Sequence, residues 1–207
     1  MKLILASTSI ARRTILENAG ITPIIVASDI DEHAVINEQK KELSTLEQVE
    51  ILSRAKAESA FEQVQTQYKS ASEPHLLLAC DTMFDLHGET IGKPHTPCRA
   101  KEIITRLSNS SGTLFTGHTL CDLKTHKTIT KVQSTRVQFA KLTDYEIDKY
   151  IATDEPLYVA GSFTVDSLGG AFVTSITGDY HNVVGLSLPL LRSMMCELGH
   201  EYVDLWE

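Results

Sequence analysis

The residues of this chain that could do chemistry are hydroxyls, cations and carboxylates placed where short apolar runs end. Ser7, Ser9, Arg12 and Arg13 follow the apolar Leu3-Ile4-Leu5-Ala6, and they open a helical pattern carried by Ile15, Leu16 and Ala19 with Gly20 as its stop. A helix N-terminus offers unpaired N–H groups and the positive end of its dipole to an anion. Hydroxyl and guanidinium groups added there make a phosphate cradle. A second reading stays open, in which Ser9 only caps the helix and both arginines are solvated. The segment is not a P-loop, because the Gly and Gly-Lys-Ser/Thr spacing is absent.

Two further apolar runs deliver carboxylates. Ile24-Ile25-Val26-Ala27 reads as a strand leading into Asp29-Ile30-Asp31-Glu32-His33. His75-Leu76-Leu77-Leu78-Ala79-Cys80 is apolar without alternation, as a strand covered on both faces is, and it is expected to end at Asp81-Thr82. Carboxylates at two converging strand ends can hold Mg²⁺ on a substrate phosphate. Taken singly, Asp81 could instead cap a turn and Asp31-Glu32 lie on a solvated face. Gly92-Lys93-Pro94 places a lysine in a rigid loop nearby, where it can neutralise developing phosphate charge, although the same tripeptide is also an ordinary turn. Lys56 alone reads equally as a surface lysine. There is no Gly-x-Ser-x-Gly elbow, no HExxH and no catalytic signature around any cysteine. His118 and His181 read as polar side chains in or near the sheet.

The elements that must position these groups alternate. Apolar positions Leu46, Val49, Leu52, Ala55, Ala60, Phe61 and Val64 predict a long helix over 44–68. Ala100, Ile103, Ile104 and Leu107 predict another, with Gly112 ending that unit. Two strand-like stretches, 114–122 and 128–139, form a hairpin, and Thr143-x-x-Glu146 is a capping box opening a short helix. Residues 158–185 read as a Gly-rich loop, and a last helix runs from about 187 to 198. The expected architecture is α/β, a mixed twisted sheet flanked by helices, within a single domain spanning 1–207.

Composition narrows the function classes. With 207 residues, 42% hydrophobic and 22% charged, the chain is long enough for a sizeable core and ordinary for a globular protein. Its 27 acidic against 19 basic side chains give a formal charge of -8, which opposes binding to a nucleic-acid polymer, so an anionic ligand needs a local cationic pocket. Four cysteines without zinc spacing fit a reducing compartment. The opening apolar run is about half the length of an export signal's, so a cytoplasmic protein without membrane partners is expected.

Taken together, these pieces resemble the Maf (septum-formation) family of nucleoside triphosphate pyrophosphatases over nearly the whole chain. Leu5-Ala6-Ser7-Thr8-Ser9 with Arg12 is similar to the family's opening motif, and Asp31-Glu32, Ala55-Lys56-Ala57, Cys80-Asp81-Thr82, Gly88-Glu89 and Gly92-Lys93-Pro94 follow in order. Asp154-Glu155-Pro156, Ala160-Gly161-Ser162-Phe163, Gly169-Gly170 and Asn182-Val183-Val184-Gly185-Leu186 close the match. The resemblance implies two lobes around a cleft, similar to inosine triphosphate pyrophosphatases. It also implies a divalent cation, Mg²⁺ or Mn²⁺, and hydrolysis of a nucleoside triphosphate to monophosphate and pyrophosphate. It makes Asp81 the catalytic acid/base, Glu32 its partner in metal binding, and Ser7, Arg12, Lys56 and Lys93 phosphate contacts. A homodimer is compatible with it. The family's septum-formation name also suggests an alternative, a nucleotide-binding regulator of cell division with incidental hydrolysis.

Departures bear on specificity. Ile10 replaces the usual proline, and Ala11 stands where one branch has an aromatic residue and another arginine. Thr82 follows the dTTP/UTP branch, Ser162-Phe163 resembles the 7-methyl-GTP branch, and Asp166 occupies the base-recognition position where Gln or Glu is usual. These mixed signals assign no single base.

Overall fold

The structure, a computed structural model, describes residues 1–68 and 75–206. Strand β1 (Lys2–Leu5) feeds helix α1 (Ile10–Asn18), whose N-cap is Ser9, and Gly20 turns the chain at φ 77°. Next come β2 (Ile24–Ile25), α2 (Glu32–Asn37), the long α3 (Thr45–Tyr68), β3 (His75–Leu86), β4 (Glu89–Ile91) and α4 (Pro97–Leu107). The hairpin β5 (Ser111–Asp122) and β6 (Thr128–Phe139) precedes α5 (Asp144–Ile151), which carries the expected Thr143–Glu146 capping box. Short 3₁₀ turns then lead to β7 (Val173–Thr177), α6 (Tyr180–Val184) and α7 (Leu188–Leu198), which is capped by Ser187.

The strands form one mixed sheet in the order β2-β1-β3-β5-β6-β7, with β4 also on β3. β1 is parallel to β2 and β3, and every other pairing is antiparallel. Alternation along β3 sorts its side chains between two layers. Leu76, Leu78 and Cys80 pack with Leu16, Leu191 and Met194 under α1 and α7, while Leu77 and Ala79 pack with Ala57, Ala60 and Val64 of α3. Further along, Phe84 and Leu86 join Ile103, Leu107, Val137, Phe139 and Phe163 in another cluster. Among the described residues no helix is long and apolar enough to cross a membrane.

Asp81 does not stand at a strand tip. Its antiparallel partner β5 runs the whole length, from Leu76↔Asp122 to Asp85↔Thr113, and this carries β3 straight through Asp81. The opposite edge behaves differently. β1 leaves β3 at Leu5↔Leu78 and β4 joins it only at Phe84↔Ile91, so among the described residues no strand pairs with that edge between them. Asp81 and Thr82 sit in this split, where the chain diverges on either side, as at the switch points of α/β sheets that serve as ligand crevices.

Three other expectations are corrected. Gly112 does not end a helical unit. It lies inside β5, where a Cβ would fall 2.2 Å from the Phe84 ring, so the glycine serves packing. The segment 158–185 is not simply loop, because it contains β7 and α6. A register shift between Gln138 and Phe139 breaks the alternation that would have marked β7. The Asp29–His33 stretch does not prolong β2, which is only two residues long, and Asp31 instead caps α2.

Candidate active site

Because alternation sends consecutive β3 side chains to opposite faces, the site has two halves around one strand. On the α3 face, Lys56 Nζ lies 2.5 Å from Asp81 Oδ1 and 2.7 Å from Glu32 Oε1. Asp81 is 5% exposed, and its other oxygen, Oδ2, is buried without a hydrogen-bond partner. A buried carboxylate oxygen left unpaired is costly unless a ligand or cation completes it. Burial opposes ionisation of Glu32, but the Lys56 hydrogen bond and the charges of Lys56, Lys93 and Arg12 outweigh it and lower its pKa.

Lys56 reaches Asp81 because α3 lies directly on β5. Gly117, the register partner of Asp81, would place a Cβ 2.1 Å from the Val49 carbonyl oxygen and 2.9 Å from Ser53 Oγ. Gly117→Ala is therefore expected to push α3 outward and to cost about 1–3 kcal/mol in a denaturant titration, as overpacking does. An unchanged midpoint would show that the helix has room to spare.

On the other face, Arg12 is fixed at three points. Its Nε donates to the Gly185 carbonyl at 2.8 Å, Nη1 to Ser7 Oγ at 3.2 Å and Nη2 to Thr82 Oγ1 at 2.9 Å. Guanidinium has five N–H donors, so it keeps capacity for an anion. Thr82 Oγ1 also lies 3.1 Å from Thr116 Oγ1, which bonds the Asn182 carbonyl at 3.2 Å. The Arg12 position thus depends on Gly185, Thr116 and Asn182, none of which the sequence marked as a site residue. Gly185 and Asn182 lie in a motif that carried the family resemblance.

The remaining candidates divide. Ser9 caps α1, accepting from the Arg12 N–H, and Ser7 Oγ accepts from the Ser9 N–H at 3.2 Å, so both shape the turn of the cradle. Arg13 is not brought in. One residue further round the helix, it pairs with Glu17 at 2.7 Å on the exposed face. Ala11 is half-buried in the first turn of α1. Lys93 is exposed in the loop after β4 and has no ion-pair partner among the described residues, so its charge is available to a ligand. Asp166 is exposed, and among the described residues no hydrogen bond or ion pair joins it to the Asp81 cluster; with burial, its charge raises the Tyr180 phenol pKa.

Two groups are removed from the chemistry. His118 is fully buried, its Nε2 accepts from the Ser187 N–H at 2.9 Å and its Nδ1–H donates to the Thr116 carbonyl at 3.0 Å. Burial brings its pKa down to about 3, so it is a neutral tie between β5 and the start of α7. Burial likewise pushes the Cys80 thiol up to about 12, which excludes a thiolate nucleophile there. The site therefore offers two carboxylates and three cations, a locally positive patch on a chain whose net charge is -8. Such a patch suits a polyphosphate.

Similarity to known proteins places the chain in a family. The profile of Maf-like proteins matches residues 2–198. A protein named nucleoside triphosphate pyrophosphatase from Nostoc punctiforme is 42% identical over 204 residues, covering 99% of this chain and 97% of its own. One of the same name from Cutibacterium acnes is 42% identical, covering 98% and 93%. Among solved structures, a nucleoside-triphosphatase (dITP/XTP pyrophosphatase) from Mycobacterium abscessus aligns over 69% of this chain and 74% of its own at 11% identity and a TM-score of 0.30, a likeness too slight to bear argument. Full-length matches near 42% identity leave no ambiguity, and the chain belongs to the Maf-like protein family.

Proposed function

We propose that this protein is a metal-dependent nucleoside triphosphate pyrophosphatase, cleaving between the α and β phosphates to release a monophosphate and pyrophosphate. The observation that carries the reading is the buried, unpartnered Oδ2 of Asp81 in the split of the sheet, beside Lys56 and Glu32, with the charges of Lys56, Lys93 and Arg12 all acting on Glu32. Water is a poor nucleophile at neutral pH, so a carboxylate that takes its proton and cations that stabilise charge on the phosphates are the minimum equipment. In this reading Asp81 is the base. Arg12, held against Ser7 and Thr82, orients the phosphates, and Lys93 neutralises charge developing on the leaving group. Lys56 holds Asp81 and Glu32 at fixed separation.

Asp81 and Glu32 also fit a divalent cation. Both supply hard oxygen donors, the kind Mg²⁺ and Mn²⁺ take, and the unpaired Oδ2 is a ready ligand. Among the described residues no group of three or more His, Cys, Asp or Glu could hold a metal, so substrate oxygens and water would complete the shell. The bound ion would supply further charge neutralisation on the phosphates. Glu32→Gln is expected to raise the metal concentration for half-maximal rate by on the order of tenfold, since an amide is a poorer ligand for a hard dication than a carboxylate. An identical metal titration for the two proteins would remove Glu32 as a ligand.

The activity is tested with a panel of unmodified and base-methylated nucleoside triphosphates and Mg²⁺ or Mn²⁺, quantifying nucleotide and phosphate products together. Equal amounts of monophosphate and pyrophosphate support the reading. Orthophosphate in place of pyrophosphate would make the protein a phosphatase, and tight nucleotide binding without product would favour a regulator. Asp166 is assigned to the base, because an exposed carboxylate accepts from a base N–H or amino group and no hydrogen bond or ion pair ties it to the phosphate cations among the described residues.

A further inference from the structure

Beyond the Asp81 cluster, an unusual number of donors converge on Glu155. Its Oε1 accepts from Tyr150 Oη at 3.0 Å, Thr164 Oγ1 at 2.5 Å and the Gly169 N–H at 3.0 Å, while Oε2 accepts from Ser167 Oγ at 2.8 Å and the Leu168 N–H at 3.3 Å. Four of these five donors belong to one loop, 164–169. Gly169 closes it, since a Cβ there would fall 2.4 Å from Tyr150 Oη and 2.8 Å from the Thr164 backbone. Asp166 lies in the middle of this loop, exposed and without a hydrogen-bond partner among the described residues.

Glu155 also begins the 3₁₀ turn Glu155–Tyr158 that holds a second loop. The Leu157 carbonyl accepts from the His95 N–H at 2.9 Å, and the Tyr158 ring meets the His95 ring edge-on at 6.3 Å, two residues after Lys93. Leu157 itself is buried with Ala100, Ile104 and Tyr150, which anchors the turn. We infer that Glu155 is a positioning residue for base reading, fixing the 164–169 loop and Asp166 relative to the loop that carries Lys93. The inference rests on the assignment of Asp166 to the base.

The chemistry requires a carboxylate. Burial would raise the Glu155 pKa, but hydrogen bonds from Thr164, Gly169, Ser167 and Tyr150 outweigh it and bring it down to about 2, so at neutral pH it only accepts. Glutamine would turn an NH₂ toward a set of donors and leave some of them unpaired.

The test compares wild type with Glu155→Gln, Glu155→Asp and Tyr150→Phe by amide hydrogen exchange and by nucleotide ranking. Ranking is measured both as relative kcat/KM and as equilibrium binding of non-hydrolysable triphosphates. In Glu155→Gln the Leu168 and Gly169 amides are expected to exchange about 10–100-fold faster, with β5 amides unchanged. The preferred nucleotide should lose about tenfold while poor ones keep their values, and Asp166→Asn should add little in that background. Glu155→Asp should restore part of the discrimination. Should Glu155→Gln fail to fold, Tyr150→Phe carries the test, because it removes one donor and frees the Thr164 N–H that bonds Tyr150 Oη at 3.3 Å. A uniform loss with the ranking intact, or faster exchange with unchanged ranking, overturns the inference. Absence of pyrophosphate from wild type would instead overturn the pyrophosphatase reading, with the binding ranking and exchange still deciding the role of Glu155.

Discussion

Asp81→Asn is expected to fold and to lose about 10²–10⁴-fold in turnover, the span that a positioned general base contributes. The substitution is nearly isosteric, and its remaining oxygen can still accept from Lys56, which also keeps its contact with Glu32. What disappears is the proton acceptor at the buried Oδ2 position and one of two charged ligands for a divalent ion. An amide NH₂ placed there would repel a cation. The measurement is kcat at saturating nucleotide and metal, with circular dichroism and a denaturant midpoint showing that the fold is intact. A folded variant turning over near the wild-type rate would falsify the assignment of Asp81 as base and leave Lys93 and Arg12 as an electrostatic site alone.

The long helix α3 was legible because its apolar residues repeat over many turns, and the hairpin β5–β6 because both strands are long. α2 has only six residues, with none buried, so it leaves no periodic trace, and Glu32 read as the end of a strand. Asp81 stands out in the sequence as a carboxylate following an apolar run, but its position along the strand does not. Whether a strand stops or continues depends on its partner, and that partner, β5, begins thirty residues later at Ser111. The composition supplied a valid cue with the wrong geometry: the unbroken apolar run stops at Asp81 just past the point where β1 leaves, while β3 goes on and buries Phe84 and Leu86 further along.

Arg12 and Arg13 show the same limit at a finer scale. Adjacent residues on a helix differ by about 100° in direction, and nothing local says which of two arginines turns inward. The answer comes from Gly185, at the far end of the chain, whose carbonyl holds Arg12 Nε. Gly185 has φ 126°, which a side chain would strain, so this carbonyl position depends on glycine. Glu155 was legible only as a motif letter, since its role lies in donors from a loop whose fold no periodicity reports.

Arg12→Ala is expected to lower kcat/KM by roughly 10–100-fold for every triphosphate alike, the worth of a charge-assisted contact to a group that all of them share. Its guanidinium lies among Ser7, Thr82 and Gly185, on the face of β3 opposite Asp81, and among the described residues no hydrogen bond or ion pair joins it to the loop carrying Asp166. If the contact is made equally in ground and transition states, the loss appears in KM; if it tightens as charge builds on the phosphates, kcat falls as well. Truncation also frees the Gly185 carbonyl and Thr82 hydroxyl, so Arg12→Lys separates charge from positioning. Lysine keeps the cation but not the planar fork, and should recover only part of the rate. Asp166→Asn provides the contrast: exchanging an acceptor for a donor at the base should reorder nucleotides while sparing those that make no contact there. A base-selective loss from Arg12→Ala, or a uniform one from Asp166→Asn, would mean that the nucleotide lies in the site with its two ends reversed.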